Sequence, residues 1–353
     1  MPSMSLDFVN TVYNDLSGPL ANMFYKSTHL LDALKGSKKK AVGGYLIQRP
    51  YATTTPANAT AVYTGDEVMD MTRREVVTDR LEVDLHRIQM AINIPQREID
   101  RMTSKKTVID SLMKTYPMLA MEGLNQDFER FFLGGVTQGL TVRSTAEFKG
   151  LVTLNGQYDA GASAPTGTRY GVLDFATPAS QTDPVLGVTK SQAKNIYNQY
   201  SDISSWAAEG EAKWRALFRL CAQFDPRKKG PNLIIVDDAT FGNYQAGKSD
   251  RVRVQVIQDN TDKGNVLEDV FQTAKVVTSL NLNLADFTGA AADGVAYFLN
   301  TNDWEFHELV PFKLSPFQKM IANQDVVTSH GVWEGQLLCN RFNTQGVCSG
   351  GAA

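Results

Sequence analysis

The chain has no apolar run that reaches the ~18 residues of a bilayer-spanning helix, so no membrane partner is expected. Its start, MPSMSLDFVNTVYNDL, has no basic segment leading into an apolar core and does not read as a secretory signal. Cysteine is scarce. Cys221, Cys339 and Cys348 are odd in number and form no CxxC pair. They read as reduced thiols of a cytosolic product, with neither a zinc site nor a disulfide framework. On that reading the Asn58-Ala59-Thr60 sequon is a chance match. A basic excess is also missing: the formal net charge of -3 argues against a strong non-specific grip on nucleic acid or anionic lipid. The four histidines, His29, His86, His307 and His330, lack HExxH spacing, and no serine sits in a G-x-S-x-G elbow. No metal, cofactor or catalytic constellation is expected.

What is present is an ordinary globular composition, 353 residues with 42% hydrophobic and 21% charged, enough for a sizeable core and for two domains. Residues 81 to 135 hold the strongest pattern. In LEVDLHRIQMAINI apolar residues fall on odd positions (Leu81, Val83, Leu85) and then on even ones (Ile88, Met90, Ile92, Ile94). This predicts a long strand whose parity changes at His86-Arg87 through a bulge. From Ser104 to Gly135, Val108, Leu112, Tyr116, Leu119, Gly123 and Phe128 recur at near-helical spacing. Ile109, Met113, Leu124 and Phe132 lie beside them, and Gly134-Gly135 supplies the stop. About thirty residues at ~1.5 Å each make a rod of roughly 45 Å, a spine for the rest of the chain.

Upstream, LKGSKKKAVGG places Lys35, Lys38, Lys39 and Lys40 among glycines and reads as an extended arm. These lysines form a solvated run or meet nucleic acid or an acidic neighbour. GYLIQRPYA and REVVTDRLEV read as the arms of a long hairpin with a polar tip, and Pro50 restricts the first arm to an edge strand. Such a hairpin cannot bury itself and needs a partner, with another chain as the expected one. Residues 136 to 190 are loop-rich. SQAKNIYNQY reads as a short helix. SSWAAEGEAKWRALFRLCAQF reads as a longer one with Trp206, Gly210, Trp214, Leu217 and Cys221 in a stripe, Phe218 alongside and Asp225-Pro226 at its end. NLIIV, RVRVQVIQ, TAKVVTSLNLNL, GVAYFLN and WEFHELVPF then read as strands, followed by a last pair around VTSHGVW and GQLLCNRF. The class is α+β with discontinuous domains.

The sharpest motif match is GNYQAGKS, Gly242 to Ser249, which satisfies G-x-x-x-x-G-K-[ST] and would place Lys248 on phosphates and Ser249 on a metal. A strand pattern follows it where a helix should open, and the acidic strand LIIVDD precedes it where a separate, later one is required. The match is a decoy on that context. Asp237 and Asp238 read as a polar turn opening a helix at Ala239-Thr240-Phe241 in preference to a metal pair. DNTDKGNVLED fails as a calcium loop, with Thr261, Lys263 and Val270 at ligand positions. Trp206, Trp214, Trp304 and Trp333 read as core anchors.

The order of elements resembles the HK-97-type major capsid proteins of tailed bacteriophages. FERFFLGG followed by EFKGLVTL resembles the segment after the spine helix in that family. KKGPNLIIVDDATFGNY resembles a stretch of its central domain, and DGVAYFLNTNDWEFH, FKLSPFQKMIANQDVV and GQLLCNRFNTQG resemble its closing pattern. The resemblance implies an N-terminal arm over 1-42, an E-loop hairpin over 43-80, a peripheral domain over 81-155 and 300-338, and an axial domain over 156-299 and 339-353. It implies a structural, non-enzymatic protein that self-assembles through hexamers and pentamers into an icosahedral shell around double-stranded DNA. The implied partners are further copies of itself, a portal and a decoration protein. The implied location is the virion, with assembly in the host cytoplasm.

Some members of the family cross-link an E-loop lysine to a neighbour's asparagine. No lysine lies between Ala41 and Ser104 here, so a shell without cross-links is expected. About forty residues precede the hairpin, so scaffolding is expected from a separate protein, or its segment has been removed. Arg49, Tyr51, Arg73 and Arg74 are candidate subunit contacts, because charged and aromatic groups on an unburied hairpin should meet a neighbour. Pro117 breaks one hydrogen bond of the spine helix and predicts a kink near Met113, which could adapt one sequence to hexamers and pentamers. Two alternatives stand beside the viral shell: a protein nanocompartment of the same fold holding protein cargo, and a P-loop NTPase using Gly242 to Ser249.

Overall fold

The computed structural model describes residues 33–34, 38–40, 46–52, 78–95, 133, 157–158, 169–170, 173–174, 184–185, 188–189, 198–249, 269–279, 294–316, 318 and 326–350. In chain order the strands begin with β1 (Lys38–Lys40), β2 (Leu46–Ala52), β3 (Thr78–Asp84), β4 (His86–Pro95) and β5 (Gln157–Tyr158). Two small ladders follow, β6 (Arg169–Tyr170) with β7 (Leu173–Asp174) and β8 (Pro184–Val185) with β9 (Val188–Thr189). Then come β10 (Asn198–Asp202), helix α1 (Glu211–Phe224), β11 (Leu233–Val236) and helix α2 (Asp238–Ser249). The chain closes with β12 (Asp269–Phe271), β13 (Ala274–Thr278), β14 (Ala296–Leu299), β15 (Trp304–Leu314), β16 (Val326–Cys339) and β17 (Gly346–Ser349).

A mixed seven-stranded sheet has the order β12-β13-β11-β14-β17-β10-β5. Its middle strands read as apolar runs because both faces are covered: every residue of β11 and β14 is buried. α1 lies over one face. Helix formers fill it, and Trp214, Leu217, Phe218 and Cys221 fall at helical spacing and are all buried, as the sequence stripe predicts. Glu211 pairs with Arg215 across one turn on the exposed side. A π-helical turn, Trp206–Gly210, leads into α1. A side chain at Gly210 would sit 2.6 Å from a Trp206 ring atom, so the glycine lets the indole fold over the turn. Trp214 is the hub: its ring stacks on Tyr244 of α2 at 5.2 Å and meets Phe298, Phe271 and Trp206 edge-on at 5.2, 5.4 and 5.1 Å.

The second sheet has four strands in the order β1-β15-β16-β4. β16 is its axis, antiparallel to β4 from Gly335↔His86 to Val326↔Pro95 and antiparallel to β15 on its other side. Ile92 and Ile94 are buried while Gln89, Ala91 and Asn93 are exposed, the even-position face that the sequence predicts. Beside these sheets, β2 and β3 pair antiparallel as a two-stranded hairpin from Leu46↔Asp84 to Ala52↔Thr78. The expected hairpin arms are present, with the return strand starting at Thr78.

Four expectations are corrected. The parity change is a change of sheet, not a bulge: the chain leaves β3 at Asp84, passes Leu85 outside any strand and enters β4 at His86. The predicted helix SQAKNIYNQY ends as strand, since Asn198, Gln199 and Tyr200 lie in β10 between β17 and β5. There a long-range partner outweighs local propensity: Gln199 N–H donates to the Gln345 carbonyl at 2.8 Å and its side chain to the Asn343 carbonyl at 3.3 Å. The predicted last pair of strands is one strand, β16, running through Gly335. Lys38–Lys40 is extended as expected, but its backbone is docked on β15 as an edge strand. The spine helix lies outside the described residues except Leu133, which is helical and buried. RVRVQVIQ also lies outside them.

Candidate assembly elements

The β2–β3 ladder sets Arg49 opposite Leu81, Pro50 opposite Arg80 and Tyr51 opposite Asp79. No third strand joins this ladder among the described residues. A lone two-stranded ladder is marginal in water, so the geometry asks for a partner. Arg73, Arg74, Lys35 and Pro117 lie outside the described residues.

β1 runs parallel to β15 with Lys38↔Phe306, Lys39↔His307 and Lys40↔Glu308. Three of the four arm lysines therefore lie on the edge next to a strand that buries Glu305, His307 and Glu308. Buried carboxylates are costly unless satisfied. Glu305 is bonded to His307 Nε2 at 2.9 Å, and Glu308 accepts from the Trp333 indole N–H at 3.0 Å. The Trp333 ring stacks on Phe306 at 5.5 Å. Gly335 makes room for that ring, because a side chain there would lie 2.5 Å from the ring and 2.5 Å from the His307 carbonyl.

The chain passes from one sheet to the other twice at one place. The 3-10 turn Thr301–Asp303 joins β14 to β15, and residues 340–345 join β16 to β17. The two crossings are stitched together. Asn340 N–H donates to the Asp303 carbonyl at 2.8 Å, and the Thr344 hydroxyl meets the Asp303 carboxylate at 2.7 Å. Asn300 N–H donates to the Gln345 side chain at 2.9 Å. Asn232 fastens the junction to β11 by accepting from Thr301 N–H at 2.9 Å and donating to the Thr301 hydroxyl at 2.7 Å. Burial pushes the Asp303 carboxyl above the usual carboxylate range, opposed by the Thr344 bond and the Arg341 charge. Sequence reasoning did not single out Asn232, Asn300, Asp303, Thr344 or Gln345. The signal available was two polar clusters, NTND and NRFNTQ, bracketing a pair of long apolar strands.

Gly242 to Ser249 lies inside α2, so its backbone belongs to a helix and not to a loop that can wrap a phosphate. A side chain at Gly242 would meet nothing within 4 Å, and one at Gly247 only Trp206 Nε1 at 3.7 Å, so neither glycine serves a close approach. Asp237 is buried at the start of α2, where its carboxylate accepts from Thr240 N–H at 3.3 Å and Gly294 N–H at 3.2 Å. Asp238 is exposed. Trp214, Trp304 and Trp333 are core anchors, as read from sequence. The cysteines are buried free thiols, and burial raises the pKa of each, to about 12 for Cys348. No described helix is long and apolar enough to cross a membrane.

No protein-family model matches the chain, and no curated protein does. Solved structures match over most of its length. The capsid of an empty GTA particle is 12% identical with a TM-score of 0.52, over 90% of this chain and 89% of that one. A structure from Microbacterium phage Oxtober96 is 10% identical with a TM-score of 0.50, over 91% and 90%. The capsid of a native GTA particle is 11% identical with a TM-score of 0.50, over 90% and 89%. At these identities the likeness is one of fold. The chain has the HK-97-type capsid fold, the fold of an α+β protein dominated by strands.

Proposed function

We propose that this chain is the major capsid protein of a tailed bacteriophage, self-assembling through hexamers and pentamers into an icosahedral shell that encloses double-stranded DNA. The observation that carries the reading is the match of fold to a capsid subunit over 90% of the chain. The two-stranded ladder β2–β3 fits it, since an element that cannot bury itself gains from an interlocking neighbour, and closed symmetric assembly removes free edges. On this reading the hairpin is the E-loop, the four-stranded sheet belongs to the peripheral domain and the seven-stranded sheet to the axial domain. Arg49, Tyr51, Arg73 and Arg74 contact the neighbouring subunit. Lys35, Lys38, Lys39 and Lys40 form the arm that faces a neighbour or DNA, and Pro117 sets the spine bend. The protein is structural, works with a separate scaffold, a portal and a decoration protein, assembles in the host cytoplasm and ends in the virion.

The test is to isolate native particles, treat them with nuclease and extract what remains. Protected double-stranded DNA is the expected content. A shell filled with a co-purifying protein would replace the viral reading with a nanocompartment. Subunit ladders on denaturing gels would refute the shell without cross-links.

A further inference from the structure

The chain as a whole is slightly acidic, yet one loop concentrates exposed positive charge. Arg227, Lys228 and Lys229 follow the end of α1 in succession, and all three are exposed. Arg219 is exposed on α1 itself. Gly230 folds the loop back onto α1, close to Phe218 and Ala222, which lie on either side of Arg219 in sequence. Arg341, exposed in the second crossing between the sheets, belongs to the same region: its neighbour Asn340 donates to the Asp303 carbonyl, and Asn232, three residues beyond Lys229, is bonded to Thr301 in the same turn as Asp303.

The loop is built to hold one shape. Asp225 is buried and caps it from inside, accepting from Arg227 N–H at 3.0 Å and from Lys229 and Gly230 N–H at 3.2 Å each. Lys228 takes a left-handed backbone, φ 52°, which strains a residue with a side chain. The concave N–H face that such a turn offers an anion is thus filled by the chain's own carboxylate, and the side chains project outward. None of the five cations forms an ion pair among the described residues. Lys213 and Arg215, earlier on α1, do pair with Glu209 and Glu211. Complementing the negative end of α1 would explain one or two of these charges, but not three consecutive ones beyond it.

We propose that this basic knuckle, Arg227–Lys229 with Arg219 and Arg341, is a contact for the phosphate backbone of double-stranded DNA. A preorganised loop loses little conformational freedom on binding a polyanion. Lysine is depleted from protein–protein interfaces, so a lysine pair without aromatic company favours phosphate over a protein surface. The contact is independent of sequence and involves few charges, which agrees with a net charge that argues against a strong non-specific grip. The choice of double-stranded DNA as the polyanion rests on the shell reading; the positive loop does not.

The test uses the full chain in its unassembled form and a fluorescein-labelled 30-base-pair duplex of arbitrary sequence, followed by anisotropy from 50 to 200 mM salt. The variant is Arg227→Ala/Lys228→Gly/Lys229→Ala, in which glycine accepts the left-handed backbone. Arg227→Lys/Lys229→Arg keeps the charge as a control. Three lost phosphate contacts should flatten the slope of log K against log salt by about 2.7, roughly a 40-fold change in affinity across that range, with the control unchanged. An equal slope in the triple variant and the unaltered chain overturns the proposal, as does absence of duplex binding by the unaltered chain. Loss of shell formation with unchanged duplex binding also overturns it and makes the loop a docking point for an acidic surface of a second copy. Because binding is read without assembly, a chain that forms no shell with its scaffold present would refute the capsid reading separately.

Discussion

Gly335→Ala should damage the four-stranded sheet out of proportion to one methyl group. The new Cβ would sit 2.5 Å from the His307 carbonyl oxygen, in the backbone of paired strand β15, and 2.5 Å from the Trp333 ring. Neither side can yield cheaply. The backbone atom is fixed by the β15–β16 ladder, where Glu308 pairs with Gly335 and His307 with Gln336. Trp333 is fully buried and stacked on Phe306. Overpacking of this kind costs ~1–3 kcal/mol. If the indole is displaced, Glu308 loses a buried hydrogen-bond donor, a further ~1.5–3 kcal/mol for a charged acceptor. The two losses share one cause and do not add fully, so about 3–5 kcal/mol is expected, a large part of a domain's usual stability. Urea unfolding of the unassembled chain, followed by tryptophan fluorescence, measures it as a lowered midpoint. Trp333→Phe in the same background removes the clashing ring atoms but also the indole N–H that Glu308 accepts from, and leaves the carbonyl clash in place, so it should not restore the midpoint. A midpoint shift worth under ~1 kcal/mol for Gly335→Ala would refute the packing argument.

Gly242→Ala should act in the opposite direction, stabilising the chain by about 0.5–1 kcal/mol in the same assay, because the position is helical and open; destabilisation would mean the glycine is needed there. The three thiols should stay unreactive to iodoacetamide at pH 8 in the folded chain and react on unfolding, since burial both hides them and keeps them protonated; labelling of the native chain would contradict their placement. Asp303→Asn should raise the melting temperature near neutral pH. The folded pKa of Asp303 is raised, so its ionised form destabilises the fold above that pKa, and the difference from Asn should vanish as pH falls below the unfolded value. An equal difference at pH 3 and pH 7 would remove the charge from the explanation.

Much of the fold was legible because its elements carry period or continuity. The Trp206–Cys221 stripe repeats at helical spacing, and LIIV and AYFL are apolar without a break because both faces are covered. What was not legible depends on partners far along the chain. Gln199 and Tyr200 read as helix residues until β17, nearly 150 positions later, supplies their pairing. Gly335 reads as the start of a second strand, whereas it lies inside one strand and is the vacancy that lets Trp333 lie across the sheet. Asp303 and Thr344 are ordinary polar residues in sequence, and only the double crossing between sheets brings them within 2.7 Å. GNYQAGKS shows the converse: a local pattern was complete, but strand LIIV and the helix opening at Asp238 gave it a helical backbone.

The measurement that bears most directly on the whole account is cryo-electron microscopy of the expressed chain, with an icosahedral reconstruction of whatever particle it forms. The account predicts closed shells of hexamers and pentamers in which the β2–β3 hairpin lies on a neighbouring subunit. A chain that stays monomeric with its scaffold present, or whose hairpin packs on its own body in the particle, would contradict it.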